Sequence, residues 1–475
     1  MLERTFQLTQ RQTTVGREVL GGAVTFMALS YIIFVQPAIM SMAGTEDNPL
    51  DFGAVMFATC VASAVACVLM GLLANLPVAL APAMGHNVLF AFTICTAAAQ
   101  GGFGLTWQQA LAANFIAGAL FVVMSFFGLR KAILAAMPES LKYAIAVGIG
   151  LLIAMVGLQY GQIVVDNPAT LVDLSKLTSP VALLTLFGLV VTAALMALQV
   201  RGAILIGILA TAVAGWVVTE LSVRGVVGEL PYRLIAPLGQ APPLNPGHTF
   251  LKLDFSGFFG HRFLTCLAVV VIFFILDLFD TIGTLIGVAE RGNLMVDGKI
   301  PKVGRALFSD AAGTVVGTCL GTSTVTSYIE STSGISAGAR TGLAAIVTGV
   351  LLLLALPAYP LVCAIGSGVN VAASGPAVMK YPIIAPVLIL IGCLMMPAVR
   401  KIQWDDLTEA IPAFLCMVVM QFAFSIAAGI AWGFIAYALL KLVTGRRRDA
   451  HGFVYLFAAL FVVMYLLKWM PGTAV

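Results

Sequence analysis

The chain has 475 residues, of which 60% are hydrophobic and only 10% charged, with a formal net charge of +4. A soluble domain of this length needs a far more polar surface, so the composition defines a polytopic helical membrane protein. A β-barrel would instead show short alternating segments, and 25 basic against 21 acidic residues give no sign of nucleic-acid binding.

Residues 1–18 are polar, carry Arg4, Arg11 and Arg17, and are expected to stay in the cytoplasm. The first apolar run follows Glu18 without a small-residue cleavage pattern, so no cleavable signal peptide is expected. A first span over about Val19–Met40 contains Thr25, Ser30, Gln36 and Pro37, which predicts an irregular far end. Glu46, Asp47, Asn48 and Asp51 form an acidic outer loop before a second span, about Phe52–Leu73. The third element opens on Asn75-Leu76-Pro77 and runs through Ala81-Pro82-Ala83-Met84-Gly85-His86-Asn87. Two prolines and a glycine so close together break a helix. Inside a membrane such a break must be buried in protein or line water. Further spans are expected at about Ala110–Leu129, Ala144–Tyr160, Pro180–Gln199 and Ala203–Leu221. The polar, Pro- and Gly-rich stretch Arg224–Lys252 marks the midpoint.

The second half opens on the apolar run Phe263–Ala289, which contains Asp277 and Asp280. Carboxylates inside a membrane-length segment are costly and normally face a protein cavity, an ion path or a partner. The competing reading is that they only pin neighbouring helices. After the charged loop Glu290–Arg305 and a span at about Ala306–Cys319 comes Gly321–Gly334, rich in hydroxyls and carrying Glu330. It makes a poor lipid-facing helix and a good broken element whose free backbone groups meet a ligand. Spans follow at about Leu343–Val362, Ile383–Val399, Ile411–Ala427 and Ile430–Lys441, with Gly429 expected at an outer turn. The last apolar stretch, Gly452–Leu467, either crosses the membrane or lies on the surface.

With the N-terminus inside, Arg130, Lys131, Arg201, the Arg291–Arg305 loop, Arg340, Arg400, Lys401 and Arg446–Arg448 all fall on the cytoplasmic side. This count gives fourteen crossings before Arg446, seven in each half. Seven is odd, so the halves point in opposite directions, and in each the third element is broken. That is the pattern of an inverted repeat with interrupted elements at the binding site. The division is 1–236 for the first repeat, 237–262 for a polar connector, 263–448 for the second repeat and 449–475 for a C-terminal hydrophobic segment.

The two stretches Phe273–Gly287 and Gly321–Gly334 form the two walls of the expected site. A carboxylate accepts two N–H donors from a planar edge, and Glu330 has the type and setting for this. Asp280 could hold a second edge or carry a coupling proton, because burial moves a carboxyl toward neutral titration. Asp277, three residues earlier, lies on a nearby helix face. Thr281, Thr284, Thr326 and Ser327 are short polar candidates for ligand contact, or for bonding the backbone freed by the break. Phe279 and Tyr328 are candidate stacking surfaces. His86 could touch substrate or assist proton transfer. The eight cysteines read as small buried hydrophobes, and His86, His248, His261 and His451 are too scattered for a metal cluster. No metal or other cofactor is expected, and no nucleophile–base arrangement or phosphate loop suggests an enzyme. A channel is disfavoured because nothing resembles a repeated pore filter.

The run Asp277-Leu278-Phe279-Asp280-Thr281-Ile282-Gly283-Thr284-Leu285-Ile286-Gly287-Val288-Ala289-Glu290 closely resembles the signature of nucleobase:cation symporter family 2, in its adenine/guanine/hypoxanthine permease branch. Tyr328-Ile329-Glu330-Ser331 and Gly338-Ala339-Arg340-Thr341-Gly342 are similar to that branch. So are Leu80-Ala81-Pro82 with Gly85 and Asn87, and the segment from Ile402 to Phe414. The resemblance covers nearly the whole chain. It implies an all-α polytopic membrane protein with a seven-plus-seven inverted-repeat transporter fold. A core domain would span about 19–129 and 263–362, and a gate domain about 144–221 and 383–445. Short extended strands would lie in the broken third and tenth elements. It implies substrate-binding roles for Asp280, Glu330 and Asn87, proton symport of purine nucleobases by alternating access, and a bacterial cytoplasmic membrane location among lipid. A homodimer is compatible with it, since several relatives are dimers. The sequence departs from the usual motif at Ala83 (commonly Gly), at His86 (commonly Leu) and at Gln36-Pro37 (commonly Asn-Pro). These changes bear on which substrate is carried. The rival is another flat or anionic ligand such as xanthine, uracil or a small organic anion. Two intramembrane carboxylates favour a neutral, donor-rich ligand over an anion.

Overall fold

The computed structural model describes residues 2–45, 47–97, 102–127, 138–226, 230–238, 241–260, 262–292, 294–295, 300–372 and 378–469. Glu46, Arg130, Lys131 and His261 lie outside the described residues, as do the side chains of Phe279 and Glu290. Nine helical stretches among the described residues are long and apolar enough to cross a membrane, and Met84–Ile94, Leu407–Phe422 and Gly452–Val463 are shorter apolar helices.

A short helix α1 (Leu2–Phe6) precedes α2 (Val15–Leu29), whose first turn is capped by the Thr14 hydroxyl accepting the Arg17 N–H. The helix breaks at Ser30-Tyr31 and resumes as α3 (Ile32–Ser41), which takes Pro37 inside it. Asp51 caps α4 (Phe52–Leu69) through the Ala54 N–H at 2.6 Å. The end of α4 widens into a π turn, Met70–Ala74, and stops at Asn75 in the left-handed region. The third element is strand β1 (Leu80–Pro82) followed by α5 (Met84–Leu89). Then come α6 (Trp107–Phe127) and α7 (Glu139–Tyr160), the hairpin β2 (Val164–Asn167) and β3 (Leu171–Leu174), α8 (Pro180–Ala197) and α9 (Ala203–Val223).

The second half runs α10 (Phe263–Arg291), α11 (Val303–Leu320), strand β4 (Val325–Ser327), α12 (Ser331–Ser336), α13 (Gly342–Leu354) and α14 (Tyr359–Gly366). It closes with α15 (Ala385–Met395), α16 (Leu407–Phe422), α17 (Ile426–Val443) and α18 (Gly452–Trp469). The hairpin between α16 and α17 differs from the expectation. Phe424 takes the left-handed conformation and Ser425 caps α17 by accepting the Ala428 N–H, so the turn lies at 423–425. Gly429 is inside α17, where a Cβ would come within 2.6 Å of the Cys416 carbonyl oxygen. It is a close-packing residue. Its lack of a side chain, read from sequence as a turn signal, serves helix contact instead.

Strands β1 and β4 come from opposite halves and pair antiparallel, Leu80 with Ser327, Ala81 with Thr326 and Pro82 with Val325. The pairing extends at both ends through the Ala83 N–H to the Thr324 carbonyl and the Tyr328 N–H to the Ala79 carbonyl, each 2.9 Å. All six strand residues are buried. Around this pair, α4 packs on α3, α11 and α13, α2 packs on α13, and α6 packs on α10 and α11. A second group forms from α7, α8, α9, α15, α16 and α17, with α7 against α15 and α16. The α4–α13 crossing is closed by glycine: a Cβ on Gly342 would sit 2.3 Å from the Gly71 carbonyl oxygen.

In the second group, buried Lys441 of α17 meets Glu409 of α16 at 2.9 Å and the Thr408 hydroxyl at 2.8 Å. The Tyr437 hydroxyl donates to the same glutamate. Ahead of α16, hydrogen bonds from Thr408 and from Arg446 hold the Asp406 carboxyl well below the usual carboxylate range.

The segment ahead of α2 is bound to the first group. Glu18 is fully buried, and its carboxylate accepts the Thr13 hydroxyl at 2.9 Å and the backbone N–H groups of Arg340 at 2.8 Å and Thr341 at 3.2 Å. The next N–H, that of Gly342, goes to the Asn75 side-chain oxygen at 2.8 Å, while the Asn75 amide donates to the Phe6 carbonyl. Glu18 and Asn75 thus bond three successive N–H groups leading into α13, and the Thr341 hydroxyl accepts that of Leu343. Glu18→Ala strands two buried N–H groups and is expected to cost about 3 kcal/mol. The check is thermal unfolding in detergent, and an unchanged midpoint would show that this contact does not hold the N-terminal segment to α13.

Candidate functional site

Two periodicities build the site. In strand β4, successive side chains point to opposite faces. Thr326 therefore faces α10 and donates its hydroxyl to Asp280 at 3.3 Å, while Ser327 faces α11 and donates to Asp310 at 3.2 Å. Along α10, Asp277 and Thr281 are one turn apart on one face, and Asp280 is set about 100° from Thr281 around the helix axis. The Thr281 hydroxyl accordingly lies 2.7 Å from Asp310 and 3.5 Å from Asp277. The result is two acidic layers on either side of the strand.

Asp280 is half-buried in the first layer. Glu330 sits at the entrance to α12 and receives the Tyr31 hydroxyl at 2.8 Å. Tyr31 lies between α2 and α3, and its side chain is buried. Tyr328 lies 6.5 Å from the Tyr31 ring, centroid to centroid, and its hydroxyl donates to the Pro82 carbonyl. Asp280 and Glu330 are within electrostatic reach of each other and of Tyr328. Among the described residues, no cation pairs with either acid.

On the facing element, Asn87 is fully buried and accepts the Ser323 hydroxyl through its side-chain oxygen. Gln36 joins this edge by donating to Thr322 at 2.8 Å. Thr324 donates to Asn114 of α6 at 2.8 Å. His86 is buried against Phe273, the rings nearly parallel at 6.4 Å, and its Nε2 has no hydrogen-bond partner among the described residues.

Of the residues singled out from sequence, Asp280, Thr326, Glu330 and Tyr328 therefore come together in one layer. Asn87 lies across the paired strands from them, and Thr284 follows one turn on from Asp280 along α10. Thr281 and Ser327 belong to the layer behind, gathered on Asp310, and Asp277 lies beside Thr281 there. Sequence reasoning missed Asp310 and Tyr31. Asp310 is fully buried inside an apolar segment, so the cost argument that singled out Asp277 and Asp280 applied to it equally. Tyr31 carried no such signal, since a lone aromatic in a membrane helix is ordinarily packing. Among the described residues, no group of three or more His, Cys, Asp or Glu side chains is placed to hold a metal ion.

Broken elements from two halves, paired inside a polytopic helical protein and flanked by acids that no cation pairs among the described residues, define a membrane transporter. Residues 16–432 match the model of the xanthine/uracil permease family, described simply as a permease family, and the chain belongs to it. It is 43% identical to a putative permease of Methanocaldococcus jannaschii over 98% of both chains. It is 41% identical to the guanine/hypoxanthine permease PbuG of Bacillus subtilis, over 97% of this chain and 98% of the relative. It is 39% identical to the adenine permease AdeP of Escherichia coli, over 98% and 95% respectively. Among solved structures, the transmembrane domain of the cyanobacterial bicarbonate transporter BicA matches with a TM-score of 0.61 at 15% identity, over 87% of this chain and 97% of that one. SLC26A9 matches at 0.58 and 12%, over 90% and 65%. At that identity the likeness shows a shared fold.

The Tyr31–Glu330 contact is open to direct measurement. Tyr31→Phe and Glu330→Gln, singly and together, are expected to show a coupling of about 1–3 kcal/mol in thermal unfolding, the range of a charge-assisted hydrogen bond. Additive effects would mean that the two side chains do not bond.

Proposed function

We propose that the protein takes up purine nucleobases, adenine, guanine and hypoxanthine, across the cytoplasmic membrane of a bacterial cell by proton-coupled alternating access. The observation that carries this reading is the placement of Asp280 and Glu330 beside the paired strands, each held by one hydroxyl. A carboxylate has room for about four hydrogen bonds, so each acid keeps acceptor capacity for the N–H groups of a flat base. The full-length similarity to guanine/hypoxanthine and adenine permeases supports the same substrate class.

In this reading Glu330 takes two N–H donors at one edge of the base, and Asp280 takes another edge or carries the coupling proton. Tyr31 orients Glu330. Asn87 and His86 contact the base from the facing element, with Tyr328 and Phe279 as ring surfaces and Thr284 and Thr326 at the margin. Asp277, Thr281 and Ser327 act through Asp310, which ties α10, α11 and β4 together and fixes Asp280. Asp277 is a second candidate for proton transfer. No cofactor beyond the proton is required.

The core domain, about 19–129 and 263–362, would carry the base past a gate domain, about 144–221 and 383–445. The repeats are 1–236 and 263–448, joined by 237–262 and followed by the hydrophobic segment 449–475. The N-terminus is cytoplasmic and a homodimer is compatible with the exposed apolar faces.

Uptake of labelled hypoxanthine into proteoliposomes with an imposed proton gradient tests the reading. Adenine and guanine should compete, and collapse of the gradient should abolish accumulation. Glu330→Gln is expected to lower kcat/KM at least about 100-fold, close to 3 kcal/mol for a lost charged acceptor. Normal uptake by that variant would remove Glu330 from the site, and competition by xanthine, uracil or an organic anion alone would overturn the substrate class.

A further inference from the structure

We propose that His86 determines specificity within this site. Its ring N–H meets the exocyclic oxygen of a 6-oxopurine, so that hypoxanthine and guanine are preferred over adenine. The inference rests on the purine reading above and extends it to the choice among purines.

The argument begins with donors. Asp280 and Glu330, when ionised, only accept hydrogen bonds. They serve the N–H groups of a base and cannot serve its carbonyl oxygen. Three of the hydroxyls around them are already committed as donors to the protein: Tyr31 to Glu330, Thr326 to Asp280 and Tyr328 to the Pro82 carbonyl. In the second layer, Ser327 and Thr281 both donate to Asp310. Across the strands, Ser323 donates to Asn87. A base carrying an acceptor needs a donor that the protein has left unused; the Asn114 amide, whose oxygen accepts from Thr324, is one such group.

Two adjacent residues of α5 hold uncommitted donors. The Asn87 amide makes only a long contact with the Met84 sulfur at 3.7 Å. His86 makes no hydrogen bond among the described residues, although it is 1% exposed and its Nε2 is sealed from solvent. An unpaired buried polar group costs about 1–3 kcal/mol. Such groups persist where something other than the fold partners them.

Position also favours a ligand role. The ring is held parallel to Phe273, which fixes the plane in which its nitrogens point. Phe273 and Asp280 are seven residues apart on α10, close to two full turns, so they share one side of that helix. Seven residues rise about 10 Å. A flat bicyclic base with a hydrogen bond of about 2.9 Å at each end bridges that interval. His86 therefore stands at the far end of the strip that begins at Asp280. Sites built to hydrogen-bond a substrate group discriminate strongly against analogues that lack it.

The experiment compares hypoxanthine and adenine uptake in proteoliposomes holding the full chain. His86→Leu is expected to raise the KM for hypoxanthine about 10-fold, the worth of one hydrogen bond. The adenine value should move less than about 3-fold, so that the preference shrinks or reverses. His86→Gln, which keeps an N–H donor, is expected to restore most of the preference. An unchanged hypoxanthine-to-adenine ratio in an active His86→Leu protein overturns the proposal. Should that variant fail to fold, the wild type still decides. Purine lacking a 6-substituent should compete with labelled hypoxanthine about 10-fold more weakly than hypoxanthine itself, and equal competition overturns the proposal. Failure of every purine to compete would instead strike the underlying substrate reading and leave a different signature.

Discussion

Two short pieces of extended chain in the interior of a membrane protein are tolerable only if their backbone groups are bonded to something other than water. Each unsatisfied N–H or carbonyl there costs several kcal/mol. Strands β1 and β4 meet this constraint by bonding to each other. The pairing fixes the register of two chain segments some 245 residues apart, Ala81 opposite Thr326, and with it the side chains on either face. Everything at the candidate site is referred to that register. A shift of one residue would exchange Thr326 and Ser327 and so exchange the acids they bond.

The alternation across β4 separates acids by role. Behind the strand, Asp310 receives hydroxyls from α10 and from β4 at 2.7 and 3.2 Å, so three elements converge on one carboxylate. In front of it, Asp280 and Glu330 each receive one hydroxyl, at 3.3 and 2.8 Å, and keep acceptor capacity. The rear layer ties α10 to α11 and β4, and the front layer keeps unused acceptor capacity.

Much of this was legible in the sequence because membrane burial is costly in ways that leave marks. Pro77, Pro82 and Gly85 in one element, and the hydroxyl run around Thr322–Ser327 in another, cannot form lipid-facing helices, so both breaks were evident. Asp280 and Glu330 stood out as charges in apolar surroundings. What was not legible depended on contacts between distant segments. Nothing in the sequence says that Tyr31 rather than another aromatic meets Glu330, since that contact joins segments 299 residues apart. Glu18 reads as the last polar residue before a span, but the structure places it fully buried under the start of α13. Gly429 shows the opposite limit. Glycine serves both turns and close helix contact, and only the neighbouring Ser425 cap and the approach of Cys416 decide between them.

The charges buried in this protein fall into two kinds, and hydrogen-bond capacity separates them. Lys441 and Glu409 form a pair at 2.9 Å, with Thr408 bonding the ammonium and Tyr437 the carboxylate. Glu18 receives three donors and Asn75 has partners for both its amide and its oxygen. These groups have little left to offer a ligand, and burial of a charge is sustainable only when its partners are that complete. Asp280 and Glu330 are half-buried, with one side-chain hydroxyl each and no cation among the described residues. A fold gains nothing by leaving acids in that condition, since apolar side chains of similar size would serve packing better. In the proposed function that incomplete coordination is what a substrate would complete, and the same reasoning carries the proposal for the imidazole of His86, whose Nε2 has no partner among the described residues.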